Sequence, residues 1–184
     1  MGDTSEDRRA AALAANEASR FAEAYRLWLP LAETGDPEAQ GHIGSLVAYG
    51  IHRFESLDQL NASSGPAIDE ATASADRDVG ARFLEAASAA GIGPASFNLA
   101  GLYAAGYGGG SWEDRKARAA ELYALAHAQG FTAFGWLMHG DGPGQPYLNV
   151  MERHAAGEQP DPPEWWHAEP GAAADSRGRV GFRE

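Results

Sequence analysis

Apolar residues recur at helical spacing in three segments of the chain, and each segment closes with a glycine. The segments read AYRLWLPLAETG, GARFLEAASAAG and AAELYALAHAQG, and they end at Gly35, Gly91 and Gly130. When they are aligned on that glycine, the positions eleven, eight, seven and four residues before it are apolar or small in all three. This spacing describes one face of an α-helix, and a closing glycine is typical of a left-handed C-terminal cap. The pattern predicts three helices that each end at a glycine.

A second pattern, rich in small residues, follows the first two of these glycines. DPEAQGHIGSLVAYG follows Gly35 and IGPASFNLAGLYAAG follows Gly91. The alignment pairs Ala39 with Ala95, Ile43 with Leu99, Gly44 with Ala100, Val47 with Tyr103 and Gly50 with Gly106. Small residues in a recurring register let two helices approach closely, and helices of about 12 residues need packed neighbours to be stable. We therefore predict repeated units, each with a small-residue helix, a loop and a larger apolar helix.

These residues resemble a known repeat family. The pattern A-x-x-x-L-G-x-x-Y-x-x-G, then a glycine loop with an acid, then A-x-x-W-x-x-x-A-A-x-x-G, is similar to the Sel-one-like repeat, a relative of the tetratricopeptide repeat. The matching positions are Ala95, Leu99, Ala100, Tyr103, Gly106, Gly108, Asp114, Ala119, Leu122, Tyr123, Ala126 and Gly130. The resemblance covers about residues 5–140. It implies an all-α fold, a short right-handed α-solenoid of antiparallel helix pairs with about two and a half repeats, and no catalytic residues.

The chain departs from a regular repeat in one place. Gly91 and Gly130 are 39 residues apart, as the family spacing requires, whereas Gly35 and Gly91 are 56 apart. The excess lies in the polar segment 51–78, which we predict to be a long loop inserted between the two helices of one unit, with a short helical turn at 55–61. It is either a tolerated surface insertion or a functional loop. The repeat domain is expected to span 1–140, with a third unit that begins at 131–140 and breaks off.

Residues 141–184 are rich in proline and glycine and are predicted to form an irregular, partly disordered tail. The segment QPDPPEWWHAEP within it contains the adjacent Trp165 and Trp166. Two tryptophans are costly to leave in water. They either dock on the end of the helical array, serve as a short linear motif for another protein, or form an incidental exposed pair.

Charge and composition exclude several classes of function. The net charge is −12, which disfavours nucleic acid and anionic membrane surfaces because both are bound through cationic contacts. There are no cysteines, so disulfides and thiolate sites are ruled out. No secretory signal or run of 18 apolar residues is present. We expect a cytoplasmic protein whose partner is a protein or peptide, with its oligomeric state left open.

No pattern of reactive residues indicates an enzyme. The six histidines show no metal-ligand spacing, and the glycine-rich stretch YGGGSWED lacks the strand, lysine and hydroxyl spacing of a phosphate loop. We read its glycines as the turn between two helices of a repeat. The expectation is a protein with no catalytic residue, no cofactor and no metal.

Candidate binding residues follow from the repeat resemblance, which implies that the first helix of each unit lines a concave face. The outward positions there are Gln40, His42, Ser45, Phe97 and Asn98. Tyr107 and Trp112, in the predicted loop, are candidate aromatic anchors. Phe97 and Trp112 have an alternative role as packing residues between helices. Asn98 is expected to be the freest of the set, since it is polar on a helix otherwise built for packing.

Two hypotheses about function remain open at this level. The first is a non-catalytic adaptor or scaffold that holds a protein or peptide on the concave face. The second is a regulatory or structural subunit that assembles with itself or with an enzyme complex through the solenoid ends or the C-terminal tail, including Trp165 and Trp166.

Overall fold

The computed structural model describes residues 4–62, 65, 67–132 and 142–158. Within these ranges the chain forms eight α-helices and no strand, which confirms the all-α class. The helices are α1 (Ser5–Glu17), α2 (Phe21–Glu33), α3 (Pro37–Ala48), α4 (Leu57–Asn61), α5 (Glu70–Ala89), α6 (Gly93–Ala104), α7 (Trp112–Ala128) and α8 (Gln145–Ala155), with a 3₁₀ turn at Ile51–Arg53. Among the described helices, none is both long and apolar enough to cross a membrane.

The three predicted closing glycines end their helices in the same way. Gly35, Gly91 and Gly130 have φ angles of +89°, +92° and +84°, a region that glycine enters without the steric penalty of a Cβ. In each case the glycine N–H donates to the carbonyl three residues back, and the next residue donates to the carbonyl five residues back. These paired bonds define the Schellman motif. The C-terminal caps predicted from the aligned glycines are therefore confirmed.

Each long helix packs against the long helix that follows it in the chain. The pairs are α1–α2, α2–α3, α3–α5, α5–α6, α6–α7 and α7–α8, and α3 also contacts α6. Two apolar clusters result. One joins α1, α2 and α3 around the fully buried Trp28 and Ile43, and the other joins α5, α6, α7 and α8 around Leu84, Leu99 and Tyr123. Small and large residues of the predicted registers thus form the core.

The closest approach between two helices falls where the sequence places small residues in register. A Cβ built on Gly44 of α3 would lie 2.7 Å from Leu84 Cγ and 3.0 Å from the carbonyl oxygen of Gly80. A Cβ built on Gly80 of α5 would lie 2.4 Å from the backbone nitrogen of Ala48. Both distances are too short for any real Cβ contact, so only glycine fits at these two positions. The helices α3 and α5 therefore touch backbone to backbone.

The segment 51–78 is more ordered than predicted. The helical turn expected at 55–61 is present as α4, but α5 begins at Glu70, so the last third of the supposed loop is helix. Asp69 caps this helix, because its side chain accepts a hydrogen bond from the Thr72 backbone nitrogen at 2.7 Å. A capping aspartate, followed by alanines at every second position from 71 to 75, favours helix in a polar sequence. The prediction of a continuous loop over 51–78 was wrong for this part.

The tail also contains a helix that the sequence analysis missed. Residues 145–155 form α8, in which Leu148 is fully buried. The helix meets α7 where Gly144 lies against the ring of Tyr123, so closely that a Cβ on Gly144 would lie 2.1 Å from a ring atom. The helical domain therefore extends beyond the predicted boundary at residue 140. Of the helix start predicted at 131–140, residues 131 and 132 are not helical, and the remainder lies outside the described residues, as does the pair Trp165–Trp166.

Candidate binding groove

A groove lies between α3 and α6, the first helices of the two repeat units that the sequence predicts. Its volume is about 420 Å³ and its walls are Glu38, Gly41, His42, Ser45, Ile92, Pro94 and Asn98. His42, Ser45 and Asn98 are three of the residues chosen from the sequence, and they come from two units that are far apart in the chain. We refer to this feature as the α3–α6 groove.

A chain of hydrogen bonds orders the floor of the α3–α6 groove. The Asn98 amide donates from Nδ2 to Ser45 Oγ at 2.7 Å, and the Ser45 hydroxyl donates to the Gly41 carbonyl at 2.9 Å. The Tyr49 hydroxyl donates to the backbone carbonyl of Asn98 at 3.0 Å. The expectation that Asn98 is the freest residue was therefore wrong. Its side chain is oriented by a neighbouring helix.

His42 forms the other end of the groove and connects α3 to the helices before it. Its ring stacks on the indole of Trp28, with centroids 4.4 Å apart and planes inclined by 14°. Asn16 Nδ2 lies 3.1 Å from His42 Nδ1, and since an amide nitrogen can only donate, Nδ1 is the acceptor. Burial lowers the pKa of His42, and the negative charges of Glu38 and Asp36 oppose this shift more weakly. The ring is therefore neutral near pH 7, as its acceptor role requires.

The charged rim of the groove is already paired within the chain. Arg9 of α1 forms ion pairs with both Asp36 and Glu38 at the start of α3. Asp36 is also the N-terminal cap of α3, because its Oδ1 accepts from the Ala39 nitrogen at 2.9 Å. What remains open in the groove is mostly apolar, with Ile92 and Pro94 on the α6 side. Such a surface suits a polypeptide segment with small apolar side chains and free backbone amides.

The remaining predicted residues lie elsewhere. Gln40 donates to the Ala32 carbonyl at 3.4 Å and faces the end of α2. Phe97 packs against Tyr123 and Phe131, with ring centroids 5.3 and 5.0 Å apart, which is its alternative role. Trp112 is the first residue of α7 rather than a loop residue, and its ring packs on the second apolar cluster. Tyr107 lines a different cavity.

Four residues of the groove were not chosen from the sequence. Gly41 lies within 3.4–3.8 Å of Ile92, Ala87 and Ala95, as measured from a Cβ built on it, so its lack of a side chain opens the groove floor. Pro94 was recognised only as a residue typical of a first helical turn. Glu38 stands four residues before His42, and Pro94 stands four before Asn98, so helical spacing was the signal that would have found both. Ile92 precedes α6 as its N-cap, and helical spacing does not point to it.

Comparison of the chain with protein families, with curated proteins and with solved structures finds no match. In the part of the chain that the structure describes, no group of three or more His, Cys, Asp or Glu side chains is placed to hold a metal ion. The fold and the geometry of the groove therefore carry the functional argument.

Proposed function

We propose that this chain is a non-catalytic protein-interaction module that holds a protein or peptide segment in the α3–α6 groove. In this proposal the helix pairs form a short right-handed α-solenoid of the kind that the Sel-one-like resemblance implies, and the chain acts as an adaptor or scaffold. No nucleic acid, membrane or cofactor takes part. The localisation is expected to be cytoplasmic.

The observation that carries this proposal is the convergence of His42, Ser45 and Asn98 on one groove. The residues at 42 and 98 each stand seven positions after a closing glycine, and each hydrogen-bonds back to the preceding first helix, through Asn16 and Ser45 respectively. A repeated polar link of this kind fixes the spacing of neighbouring first helices. It leaves a preorganised surface, which lowers the entropic cost of binding a segment.

Site-specific photo-crosslinking in the source cells tests the proposal. A benzophenone amino acid replaces Pro94, which is exposed on the groove wall and is tolerant of replacement at the first turn of α6. A matched probe replaces Leu125, which is 41% exposed on α7 and is not part of the groove. We expect the Pro94 probe to capture a protein that the Leu125 probe does not capture.

The groove assignment is then checked with Asn98→Ala in the same Pro94-probe background. The amount of captured protein should fall while the protein stays folded, with a thermal midpoint lowered only by the few degrees that one lost hydrogen bond explains. Capture of the same set of proteins by both probes, or capture that is indifferent to Asn98, would remove the groove from the proposal.

The tail and the self-assembly alternative need separate experiments. A truncation after Glu158 is preferable to one at residue 140, because it keeps α8 and its buried Leu148. A partner lost on this truncation, from a protein that stays folded, would move recognition to the segment that contains Trp165 and Trp166. A mass that rises with concentration in light scattering would favour the regulatory or structural subunit that assembles with itself.

A further inference from the structure

A second and larger cavity lies where the inserted segment 51–78 meets the end of the helix pair α3–α6. Its volume is about 720 Å³. One wall is the first half of α5, with Glu70, Asp76 and Asp78, and the opposite wall is formed by Tyr49 and by Tyr107 in the glycine loop after α6. We refer to it as the insertion pocket. Part of this wall, including Ile68 and Glu70, comes from the segment that lengthens this unit relative to the spacing between Gly91 and Gly130.

Glycines on the α6 side keep the mouth of the insertion pocket open. The chain runs through Gly106, Gly108 and Gly109, which have φ angles of +112°, +85° and +66°. These three residues place no side chain in the mouth of the cavity. At Gly108 there is also no room for one, because a Cβ would lie 2.9 Å from the ring of Tyr103. Tyr107 stands between these glycines, and its ring packs edge-on against Tyr103 at a centroid distance of 5.3 Å. The tyrosine is thus held in place at the cavity wall.

The carboxylates of the insertion pocket differ in the hydrogen bonds and ion pairs that they form. Asp76 accepts from Arg53 Nη2 at 2.6 Å and from Nε at 3.1 Å, and Glu70 pairs with Arg77. Among the described residues, none forms a side-chain hydrogen bond or ion pair with the Asp78 carboxylate. Burial raises the pKa of Tyr107, the negative charges of Glu85 and Asp78 raise it further, and the positive charge of Arg82 opposes them more weakly. Three carboxylates, Glu70, Asp76 and Asp78, line the cavity with one cation, Arg77, so its lining carries a net negative charge, and the exposed Asp78 is open to a cationic group.

We propose that the insertion pocket binds an arginine-bearing segment of a partner protein. A guanidinium group pairs with a carboxylate and at the same time stacks on an aromatic face, and Asp78 with Tyr107 and Tyr49 offers both. Ile68 and Leu102 provide an apolar surface for neighbouring side chains. The net charge of −12 steers cationic segments toward the protein. This surface is separate from the α3–α6 groove and does not depend on the function proposed there.

Fluorescence anisotropy with the full chain tests the proposal. The probe is a short fluorescein-labelled peptide of glycine and leucine that carries a pair of arginines, and the matched probe has citrulline, the neutral isostere, in place of both. We expect the arginine peptide to bind at least about tenfold more tightly than the citrulline peptide, because the citrulline side chain leaves the Asp78 carboxylate without its charge partner. Equal affinities, or no binding by either peptide, would overturn the proposal.

Matched variants distinguish a contact between the arginine peptide and Asp78 from attraction by the net negative charge of the whole protein. Asp78→Asn should weaken binding of the arginine peptide at least about threefold, and Tyr107→Leu should weaken it while keeping apolar volume. The control is Glu33→Gln, which removes one exposed negative charge at the end of α2, away from the pocket lining. Equal losses in Asp78→Asn and Glu33→Gln would show attraction by net charge alone and overturn the pocket assignment.

Two further variants identify the occupant. Asn98→Ala should leave binding of the arginine peptide unchanged, so failure of the groove proposal and failure of this one are distinguishable. The sequence SRGRVGFR near the end of the chain carries Arg177, Arg179 and Arg183. If replacing these three with glutamine tightens peptide binding at least about tenfold, the chain's own C-terminal segment fills the pocket, and the assignment to a partner protein is overturned.

Discussion

The helix pairs α3–α5 and α6–α7 share one register but differ at their closest contact. Gly44 faces Gly80 in the first pair, whereas the aligned positions in the second pair are Ala100 and Ala119, both fully buried. Glycine in a helix interior costs about 1 kcal/mol relative to alanine. The first pair contains two such glycines, and their lack of a Cβ allows the two helices to contact each other backbone to backbone. A glycine stands at both aligned positions where the helices touch backbone to backbone, and an alanine stands at both in the other pair.

The two pairs also differ in how they join the preceding unit. His42 links α3 to α1 through Asn16, whereas Asn98 links α6 to α3 through Ser45. The position is the same, but the first link depends on a titratable ring and the second does not. The earlier interface is thus sensitive to pH in a way that the later one is not.

The largest expected effect comes from placing a charge at the small position of the second pair. Ala100 is fully buried, so Ala100→Arg forces a long charged side chain into a helix contact without space or a partner. We expect destabilisation of more than about 4 kcal/mol, which leaves the protein largely unfolded at 25 °C. Thermal unfolding followed by circular dichroism measures this. The control is Ala117→Arg at an exposed position of α7, and an Ala100→Arg midpoint as high as that of the control would refute the register.

The next effect sharpens the contrast between glycine and alanine contacts. Gly80→Ala adds a Cβ that would meet Ala48 backbone atoms at 2.4–2.7 Å. We expect a loss of about 1–3 kcal/mol, even though alanine is the better helix former. The reverse change in the other pair, Ala119→Gly, should cost about 1 kcal/mol or somewhat more through helix propensity and a lost methyl group. Urea unfolding measures both, and a stabilised Gly80→Ala protein would contradict the close approach.

A smaller effect is expected from removing the polar link between α3 and α6. Asn98→Ala deletes the bond to Ser45 Oγ at 2.7 Å and should cost about 1 kcal/mol. Ser45→Ala should cost a similar amount. Since the two side chains share one contact, the double variant should lose less than the sum of the single losses. Strictly additive losses in urea unfolding would show that the hydrogen bond contributes nothing to stability.

The smallest expected effect is a difference in pH dependence between the His42–Asn16 contact and the Asn98–Ser45 contact. Burial lowers the pKa of His42 in the folded protein, so the unfolded chain binds the proton more readily. Stability from this residue is complete above the unfolded pKa of about 6.5 and is lost as pH falls below it toward the folded pKa. We expect the protein to unfold at a lower temperature at pH 5.5 than at pH 7.5.

The variant His42→Asn places at position 42 the residue type of the aligned Asn98. Its unfolding temperature should fall less than that of the unchanged protein between pH 7.5 and pH 5.5. Burial also lowers the pKa of His52, but this residue is present in both proteins and cancels in the difference. An equal drop in both proteins would assign the pH dependence to groups other than His42.

The sequence predicted the all-α class and the ends of three helices because these signals are local and recur along the chain. Three glycines at the ends of apolar registers predicted three helix ends, and all three are capped as expected. The groove was predicted in part, since His42, Ser45 and Asn98 do meet there. The first half of α5 was missed because its polar, serine-containing sequence carries no apolar face. Helix α8 was missed because prolines and glycines dominate the surrounding composition.

What the sequence determined by itself is the helices with a repeated apolar register, their closing glycine caps and the small positions in that register. These follow from backbone preferences and from spacing within one helix, and they need no knowledge of distant residues. Only the tertiary structure decided which side chains from distant parts of the chain contact each other. It placed Asn98 on Ser45 and His42 between Trp28 and Asn16, and it turned the insertion into the wall of a cavity. Such contacts depend on how segments far apart in the chain pack in space, and no local pattern contains that information.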